Sequence, residues 1–401
     1  MQVGKGQQQG IDWWADLREG MRDAARAFVE DLLEEELVEA IGAERYERGQ
    51  ARAGYRNGSM RRTLTTAGGT FELAVPRGRL AVKGGGTKEW RSGIVARYAR
   101  RTRDVDESML SMYLAGVNTR KVKAVMRPLV GGTAMSKSAV SRIVSKVESR
   151  FDTWSKRPLG EEDVVFLYLD GIALKVRLAG RVQSVPVLCA LGVRSDGTKV
   201  LLAIEMAGSE SLAAWEGFLR GLEARGLCAP QLCVIDGNPG LRSAVTAVWP
   251  KADVQRCTVH KLRNLLAKAP PRLHDEIRTE YRAFVDAKTA KAARDGYDAF
   301  LAKWTKRCPG MAKSLLEAGD ELLTYTAFPR SQWKCLRTTN VIERLNEEFR
   351  RRVKTQSSLP NERAAVVLLF SLLDQGLVRL RKIDGWKRIA KVLLARAEKA
   401  A

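Results

Sequence analysis

Residues 162–256 contain a series of short apolar segments rich in Val, Ile and Leu, and this series constrains the fold more than any other feature. The runs DVVFLYLD, IALKVRL, SVPVLCALGV and TKVLLAIEMA follow one another with short separators, and Gly171 and Ser195–Gly197 resemble turns. The helix-like SLAAWEGFLRGLEARG, the strand-like QLCVID, the helix-like LRSAVTAVW and the strand-like DVQRC come next. This order of strands, helix, strand, helix and strand predicts an α/β sheet.

Two acidic residues end apolar runs of this series. Asp170 closes LYLD and Asp236 closes LCVID. A carboxylate among apolar residues is unfavourable without a partner, and the ends of strands in open α/β sheets face a ligand crevice. If the two strands are neighbours, the carboxylates lie side by side and suit Mg²⁺ or Mn²⁺. The alternative for either residue alone is a turn, because Asp-Gly is a common turn dipeptide.

A third carboxylate is expected in the helical segment RTTNVIERLNEEFRRRVK. Thr338 or Thr339 can cap this helix, and apolar residues recur along one side of it. Glu343 flanks that apolar seam and is the preferred candidate, with Glu347 and Glu348 as competitors. Bases that suit a phosphate backbone follow it directly: Arg350, Arg351, Arg352 and Lys354.

The net charge of the chain points to a polyanionic partner. Lys and Arg number 69 against 46 Asp and Glu, which gives +23. Nucleic acid is the expected partner; a merely soluble basic protein, or one that binds acidic lipid, is the alternative. We expect no membrane span, because no apolar run approaches ~18 residues, and no secretory signal. Six sparse cysteines favour a reducing cytoplasm over a disulfide scaffold, and two histidines cannot form a His-rich metal cage.

The N-terminal third divides into three segments. Residues 1–43 form an acidic amphipathic helical segment that packs on this chain or on a second copy. Residues 44–104 are Gly- and Arg-rich, with fifteen bases and four acids over 44–103. This basic segment is suited to contact with a phosphate backbone, and a solvated basic loop is the alternative. Thr70–Val75 is predicted to be a short strand that Pro76 should end. Residues 105–155 resemble a helix-turn-helix, with an ordinary helical hairpin as the alternative. The candidate DNA-binding residues of the last two segments are Arg56, Arg61, Arg62, Arg77, Arg79, Ser138, Arg142 and Lys146.

The series Asp170, Asp236 and Glu343 resembles the ribonuclease H-like core of DDE transposases, and more narrowly the Mutator-like superfamily of bacterial insertion-sequence transposases. The resembling stretches are RAGYRNGSMRRTL, ELAVPRGR, LYLDGIALKVR, LCVIDGNPGLRSAV, VQRCTVHKLRNLL and TTNVIERLNEEFRRRVK. The resemblance implies an α/β ribonuclease H-like catalytic core with an all-α insertion and N-terminal, mostly α, DNA-binding regions, α+β overall. The core is expected over 160–257 and 336–374, the insertion over 258–335 and a basic helix over 375–401.

The resemblance also implies an activity. Asp170, Asp236 and Glu343 would hold two Mg²⁺ ions, for which Mn²⁺ substitutes, for cleavage and transfer of DNA strands. The partners would be the terminal inverted repeats, target DNA and a second copy in a homodimer or higher assembly, in the bacterial cytoplasm at the nucleoid. The alternatives are a catalytically inactive repressor or domesticated scaffold, and an RNA-directed ribonuclease.

Further residues are candidates for a position near the active site or the DNA. Cys257 and His260 match the Cys-x-x-His motif of the family. They resemble half a zinc site, but no second pair is suitably spaced, so a non-metal role is preferred over a structural one. Asn340 and Arg344 are the other candidates near the active site. Trp333 is a candidate for stacking on an unpaired base, with core packing as the equal alternative.

Overall fold

A computed structural model describes most of the chain. The described residues are 13–47, 52–82, 84–114, 122, 124–126, 137–354, 359, 361–374, 376, 378–390 and 392–393. The chain divides into two compact units, Met1–Lys146 and Val147–Ala401. The predicted mixture of α and β structure is confirmed, and none of the described helices is long and apolar enough to span a bilayer.

The first unit is built from a long helix and a small antiparallel sheet. Helix α1 (Trp13–Ile41) packs on a sheet of order β1-β2-β3, whose strands are β1 (Gly54–Thr66), β2 (Gly69–Ala81) and β3 (Thr87–Glu89). Leu33 of the helix is fully buried against Leu64 and Leu73 of the sheet. The C-terminal half of the acidic helix therefore packs on its own chain, and the basic segment is a sheet.

Strand β2 continues through Pro76 to Ala81, so the expectation that this proline ends the strand was wrong. Pro76 lies opposite Ser59, where the register of β1 is irregular. On the other side of β2, strand β3 pairs only with the last three residues of β2 and does not reach Pro76. A proline is tolerated at such a bulge because the amide hydrogen it lacks has no regular ladder partner there.

Two helices with described bounds lie in the region of the predicted helix-turn-helix, and residues 122 and 124–126 between them are also helical. The two helices are α2 (Arg103–Leu114) and α3 (Lys137–Ser155), and the second crosses the division between the units. The predicted turn, at residues 131–134, lies outside the described residues. The helix-turn-helix therefore stays a prediction.

The second unit contains a five-stranded sheet of order β6-β5-β4-β7-β8. Its strands are β4 (Val164–Leu178), β5 (Arg181–Arg194), β6 (Lys199–Met206), β7 (Leu232–Ile235) and β8 (Asp253–Arg256). The first three are antiparallel neighbours, and β7 and β8 run parallel to β4. Helices α4 (Leu212–Ala224) and α5 (Pro239–Val248) pack on one face through an apolar cluster that includes Leu167 and Leu169.

Strand β4 runs without a break through Gly171, so the reading of this glycine as a turn was wrong. Gly171 pairs with Leu188 of β5, and the chain turns only at Ala179 and Gly180, which both have positive φ. Two predicted strands are therefore one strand of 15 residues. Asp170 lies in the middle of this strand instead of at its end.

Helices make up the rest of the second unit. Between β8 and residue 337 come α6 (Thr258–Ala267), α7 (His274–Val285), α8 (Ala290–Arg307), α9 (Pro309–Ala318) and α10 (Trp333–Leu336), with short 3-10 turns. Buried aromatic residues such as Phe284 and Phe300 hold α7 and α8 together. Helices α11 (Asn340–Lys354) and α12 (Glu362–Asp374) follow and pack on β4.

The described part of the C-terminal tail differs from the basic helix expected over 375–401, of which residues 375, 377, 391 and 394–401 lie outside the described residues. Residues 378–385 contain no helix, and helical structure begins only at Trp386. Gly385 has a φ of 73°, which interrupts a right-handed helix. The amide of Ile383 donates to the carbonyl of Gly197, and Ile383 is buried, so tertiary packing determines this segment.

Candidate active site

Asp170 and Asp236 meet through the register of two parallel strands. Phe166 lies opposite Leu232 and Tyr168 opposite Val234, an offset of 232 − 166 = 66. The same offset, 236 − 170 = 66, places Asp236, the residue after β7, beside Asp170. Neighbouring strands lie ~4.8 Å apart, and side chains at equivalent positions point to the same face. The two carboxylates therefore lie on one face of the sheet.

The Asp170 carboxylate is held between two donors in a buried site. The amide nitrogen Nδ2 of Asn346 donates to Oδ2 at 2.6 Å, and the backbone N–H of Gly171 donates to Oδ1 at 3.0 Å. Only 8% of the residue is exposed. Burial, followed by the charge of Asp236, raises the pKa of Asp170 to about 7, although the bond from Asn346 and the charge of His260 act in the opposite direction.

A sharp turn between β7 and α5 fixes Asp236. The backbone N–H of Asn238 donates to Asp236 Oδ1 at 2.9 Å. The side chain of Asn238 caps α5 by accepting from the amides of Gly240 and Leu241. Gly237, with a φ of 121°, allows the chain to leave the strand. The GNPG segment after Asp236 thus works as a turn that orients this carboxylate.

Glu343 reaches the same site from the first turn of α11. Thr339 Oγ1 donates to Glu343 Oε1, and Nδ1 of His260 lies 3.7 Å from that oxygen. The charge of Glu343 is one of the causes that raise the pKa of Asp170. Glu347 is exposed, and Glu348 pairs with Arg351 at 2.6 Å. Of the three glutamates, Glu343 is the one that the structure places beside the aspartates.

Cys257 and His260 lie against the same helix end. The Cys257 Sγ, which is fully buried, accepts from the Thr339 amide at 3.4 Å and lies 3.2 Å from Thr339 Oγ1. Burial raises the pKa of this thiol, but hydrogen bonds with His260 and Thr339 outweigh it and lower the pKa overall. The bond to Cys257 raises the pKa of His260. Donor atoms of Cys257, His260 and Glu343 lie within 4.8 Å of one another, close enough to share a metal ion.

Sequence reasoning missed a fourth carboxylate at the site, that of Glu210. This residue precedes the Ser211 cap of α4. A Cβ added to Gly171 would lie 2.5 Å from Glu210 Oε1, so the carboxylate occupies the space that the glycine leaves open. Burial and the charge of Asp236 raise the pKa of Glu210. Gly171 itself was the only available signal, since glycine inside a strand marks a close approach.

The candidate DNA-binding arginines of the first unit fall into two groups. Arg61, Arg77 and Arg79 are exposed; Arg61 lies 3.3 Å from Glu72 in an exposed pair. Arg56 pairs with Glu34 of α1, and Arg62 donates to the carbonyls of Ala96 and Ala99. The second group therefore holds the unit together, and the first is available to a ligand.

The remaining candidates on α3 and α11 whose side chains are described are all exposed. Arg142 and Lys146 are exposed on α3, which also contains Ser138. The candidates of α11 that are exposed are Asn340, Arg344, Arg350 and Arg351. Arg352 lies in the same helix.

Trp333 is a core residue in this structure. It is 8% exposed, its Nε1 donates to the Phe328 carbonyl at 2.8 Å, and its ring meets Tyr325 edge-on at 5.4 Å. These contacts agree with the packing alternative for Trp333 and leave little of the ring for stacking on a base.

Comparison with known proteins shows the family to which this chain belongs. The model of the transposase family described as "Transposase, Mutator family" matches residues 5–377. The chain is 38% identical over 354 residues to the transposase for insertion sequence element ISRM5 of Rhizobium meliloti (strain 1021), covering 88% of this chain and 87% of the relative. It is 33% identical over 366 residues to the transposase for IS1081 of Mycobacterium tuberculosis, covering 91% and 85%. It is 32% identical over 348 residues to the transposase for IS256 in transposon Tn4001 of Staphylococcus aureus, covering 85% and 86%. The chain belongs to the Mutator family of transposases.

Proposed function

We propose that this protein is the DNA transposase of an insertion sequence, which binds the terminal inverted repeats of its element, cleaves DNA strands there and joins them to target DNA. The observation that carries the proposal is the convergence of Asp170, Asp236 and Glu343 on one site. We assign the sheet that supports them to the ribonuclease H-like class. Three antiparallel strands followed by two parallel ones, with Asp170 on the central strand, support this assignment.

The chemistry of this donor set fits divalent cations. Asp170 is buried beside another carboxylate, and its described hydrogen-bond partners, Asn346 and Gly171, are not cations. Oxygen donors of this kind suit Mg²⁺ or Mn²⁺. Asp170, Asp236 and Glu343 would hold two such ions, which when bound stabilise the attacking and leaving oxygens of an in-line displacement.

The residues of this chain then have distinct tasks in phosphoryl transfer. Asp170 must release its proton before it can bind a cation, which its raised pKa opposes at acidic pH. In the first step a water oxygen bonds to phosphorus as the bond to the 3′ oxygen breaks, which leaves a 3′-hydroxyl on the element. In the second, that hydroxyl oxygen bonds to a phosphorus of target DNA and displaces the target's own 3′ oxygen. Arg344 and Arg350 on α11 are exposed and suit the negative charge of the backbone.

DNA recognition is proposed for the first unit and for α3. Arg61, Arg77 and Arg79 offer exposed guanidinium groups on the β1–β2 hairpin. Phosphate contacts of this kind supply most of the affinity for duplex DNA. Because two element ends must be held during strand transfer, we propose a homodimer or higher assembly.

The test is cleavage of duplex DNA that carries the inverted repeats flanking the gene. The wild-type protein should nick the ends in Mg²⁺, while Asp170→Ala and Asp236→Ala should bind the ends without nicking them. If the wild type binds but cuts no better than these variants, the protein is an inactive DNA-binding repressor or scaffold. If it cuts an RNA–DNA hybrid in preference to duplex DNA, the ribonuclease alternative is correct.

A further inference from the structure

One polar side chain is buried in the apolar seam between α11 and the sheet. Asn346 has no exposed surface and lies in α11, on the helix that carries Glu343 three residues earlier. Ile342, Leu345 and Phe349 around it are also buried. Its amide Nδ2 reaches across to Asp170 Oδ2 at 2.6 Å, one of the shorter side-chain hydrogen bonds in the site.

Packing alone does not account for an asparagine at this position. Its Oδ1 is buried and has no hydrogen-bond partner among the described residues. A buried polar atom without a partner is unfavourable by roughly 1–3 kcal/mol. An apolar side chain of similar volume would avoid this penalty and extend the apolar seam. The favourable contribution of Asn346 is therefore its single bond to Asp170.

That bond determines how the Asp170 carboxylate is oriented. The Gly171 amide donates to Oδ1 and the Asn346 amide to Oδ2, so each oxygen has one fixed donor. Rotation of the carboxylate about its Cβ–Cγ bond would break one or both bonds. The donor on Oδ1 belongs to the next residue of the chain, whereas the donor on Oδ2 comes from the helix that also supplies Glu343. Asn346 thus fixes Asp170 relative to the element that carries the third carboxylate.

We propose that Asn346 is a positioning residue, which orients the Asp170 carboxylate for divalent cations and ties its position to that of Glu343. This inference rests on the proposed function, because it requires that Asp170 bind cations. In this role Asn346 acts through Asp170, because it has no exposed surface and its amide donates to the Asp170 carboxylate. Partners that orient metal ligands typically change metal affinity by about 10- to 100-fold when they are removed.

The test measures cation binding and cleavage separately in Asn346→Leu, which keeps a similar volume. Mn²⁺ binding is measured by electron paramagnetic resonance without DNA, and nicking of inverted-repeat DNA is titrated with Mg²⁺. We expect Mn²⁺ affinity to fall, and the Mg²⁺ concentration for half-maximal nicking to rise, by about 10- to 100-fold. The maximal rate at saturating Mg²⁺ should recover to a large part of the wild-type rate, and binding to DNA ends should not change.

The matched control is Ser371→Ala, which also removes a buried polar group of the second unit. The hydroxyl of Ser371 donates to the Val367 carbonyl of its own helix, and none of its described hydrogen bonds reaches an acidic residue. The Mn²⁺ affinity and the Mg²⁺ dependence of Ser371→Ala should stay within about twofold of the wild-type values. A change of that size in a binding constant is a small difference in free energy at 25 °C. If Asn346→Leu does not fold, Asn346→Ser replaces it, because the shorter side chain cannot bridge to Asp170 and should shift the Mg²⁺ dependence in the same direction.

Three outcomes separate this inference from the function on which it rests. Equal Mn²⁺ binding by the wild type and Asp170→Ala would overturn the proposed function. Loss of binding in Asp170→Ala, with wild-type binding and Mg²⁺ dependence in the Asn346 variant, would overturn the positioning role alone. An Asn346 variant that loses nicking at every Mg²⁺ concentration but keeps its Mn²⁺ affinity would also overturn the positioning role.

Discussion

Asp170 and Asp236 both continue the register in which the parallel strands β4 and β7 pair, but the chain holds them in different ways. Asp170 is a mid-strand residue of β4. Asp236 follows the last residue of β7 and is oriented by the backbone of the next turn. The longer strand keeps Asp170 buried, and burial beside Asp236 raises its pKa to about 7. The ionised form of Asp170 therefore destabilises the folded protein.

We expect Asp170→Asn to stabilise the metal-free protein more at pH 8 than at pH 5. The pKa of Asp170 is raised from 3.8 to about 7, so the folded state holds its proton more tightly than the unfolded state. The free energy of unfolding therefore falls as pH rises from about 4 to about 7. The difference of about 3 pKa units corresponds to at most about 4 kcal/mol. Asn keeps an acceptor for Asn346 without the charge, and thermal unfolding in EDTA measures the effect.

The control for this pH dependence is Asp196→Asn. Asp196 is exposed, and hydrogen bonds from Thr198 lower its pKa to about 2, so its charge is favourable in the folded state. This variant should not gain stability at pH 8. An equal gain for Asp170→Asn at pH 5 and pH 8 would show that Asp170 carries no raised pKa.

Glu343→Gln should abolish nicking and spare binding to the element ends. The amide has the shape of the carboxylate but is a poor ligand for hard cations. Glu347→Gln is the matched control, since Glu347 lies one turn further along the same helix and is exposed. Its nicking rate should stay within about threefold of wild type, because exposed substitutions change energies by about 0.5 kcal/mol or less. If nicking falls equally in both variants in a gel assay, the third carboxylate is misassigned.

The pairing of Asp170 with Asp236 could be predicted because each aspartate follows a short apolar run of similar length. The error at Gly171 shows the limit of this reasoning. A glycine after an aspartate is typical of a turn, but here it leaves room for the Glu210 carboxylate, which is 39 residues away in sequence (210 − 171). Nothing local to Glu210 indicates its role. Asn346, in contrast, lies three residues after Glu343, a spacing that places both on one side of a helix.

The alternatives that remained open depended on tertiary contacts. Trp333 has the same neighbours in sequence whether it stacks on a base or packs in the core. Its burial and the bond from its indole to the Phe328 carbonyl distinguish the two possibilities. The sequence also does not distinguish the exposed arginines of the β1–β2 hairpin from those that make structural contacts. Side chains at these positions are distinguished by what the fold brings near them, such as Glu34 of α1 beside Arg56.

Arg79→Ala and Arg62→Ala should separate DNA contact from stability. Arg79 is exposed, so its loss should weaken DNA binding, lower the salt dependence of the affinity by about one counterion and leave the melting temperature unchanged. Arg62 donates to the carbonyls of Ala96 and Ala99, so its loss should lower the melting temperature of the first unit. Fluorescence anisotropy at several salt concentrations, together with thermal unfolding, checks both. An Arg79 variant with wild-type affinity at every salt concentration would exclude that side chain from the interface.

Gly171→Ala should destabilise the protein through Glu210, and removal of the Glu210 side chain should relieve the effect. The added Cβ would lie 2.5 Å from Glu210 Oε1, which is too close, so the carboxylate must move away. Overpacking of this kind typically lowers stability by about 1–3 kcal/mol. Glu210→Ala alone should be neutral or slightly stabilising, because the charge of Asp236 and burial both disfavour an ionised Glu210. In the double variant the alanine at position 171 has space, so chemical denaturation should show a coupling energy of about 0.5–3 kcal/mol between the two sites. Additive effects of the two substitutions would mean that the Glu210 carboxylate does not occupy the space beside Gly171.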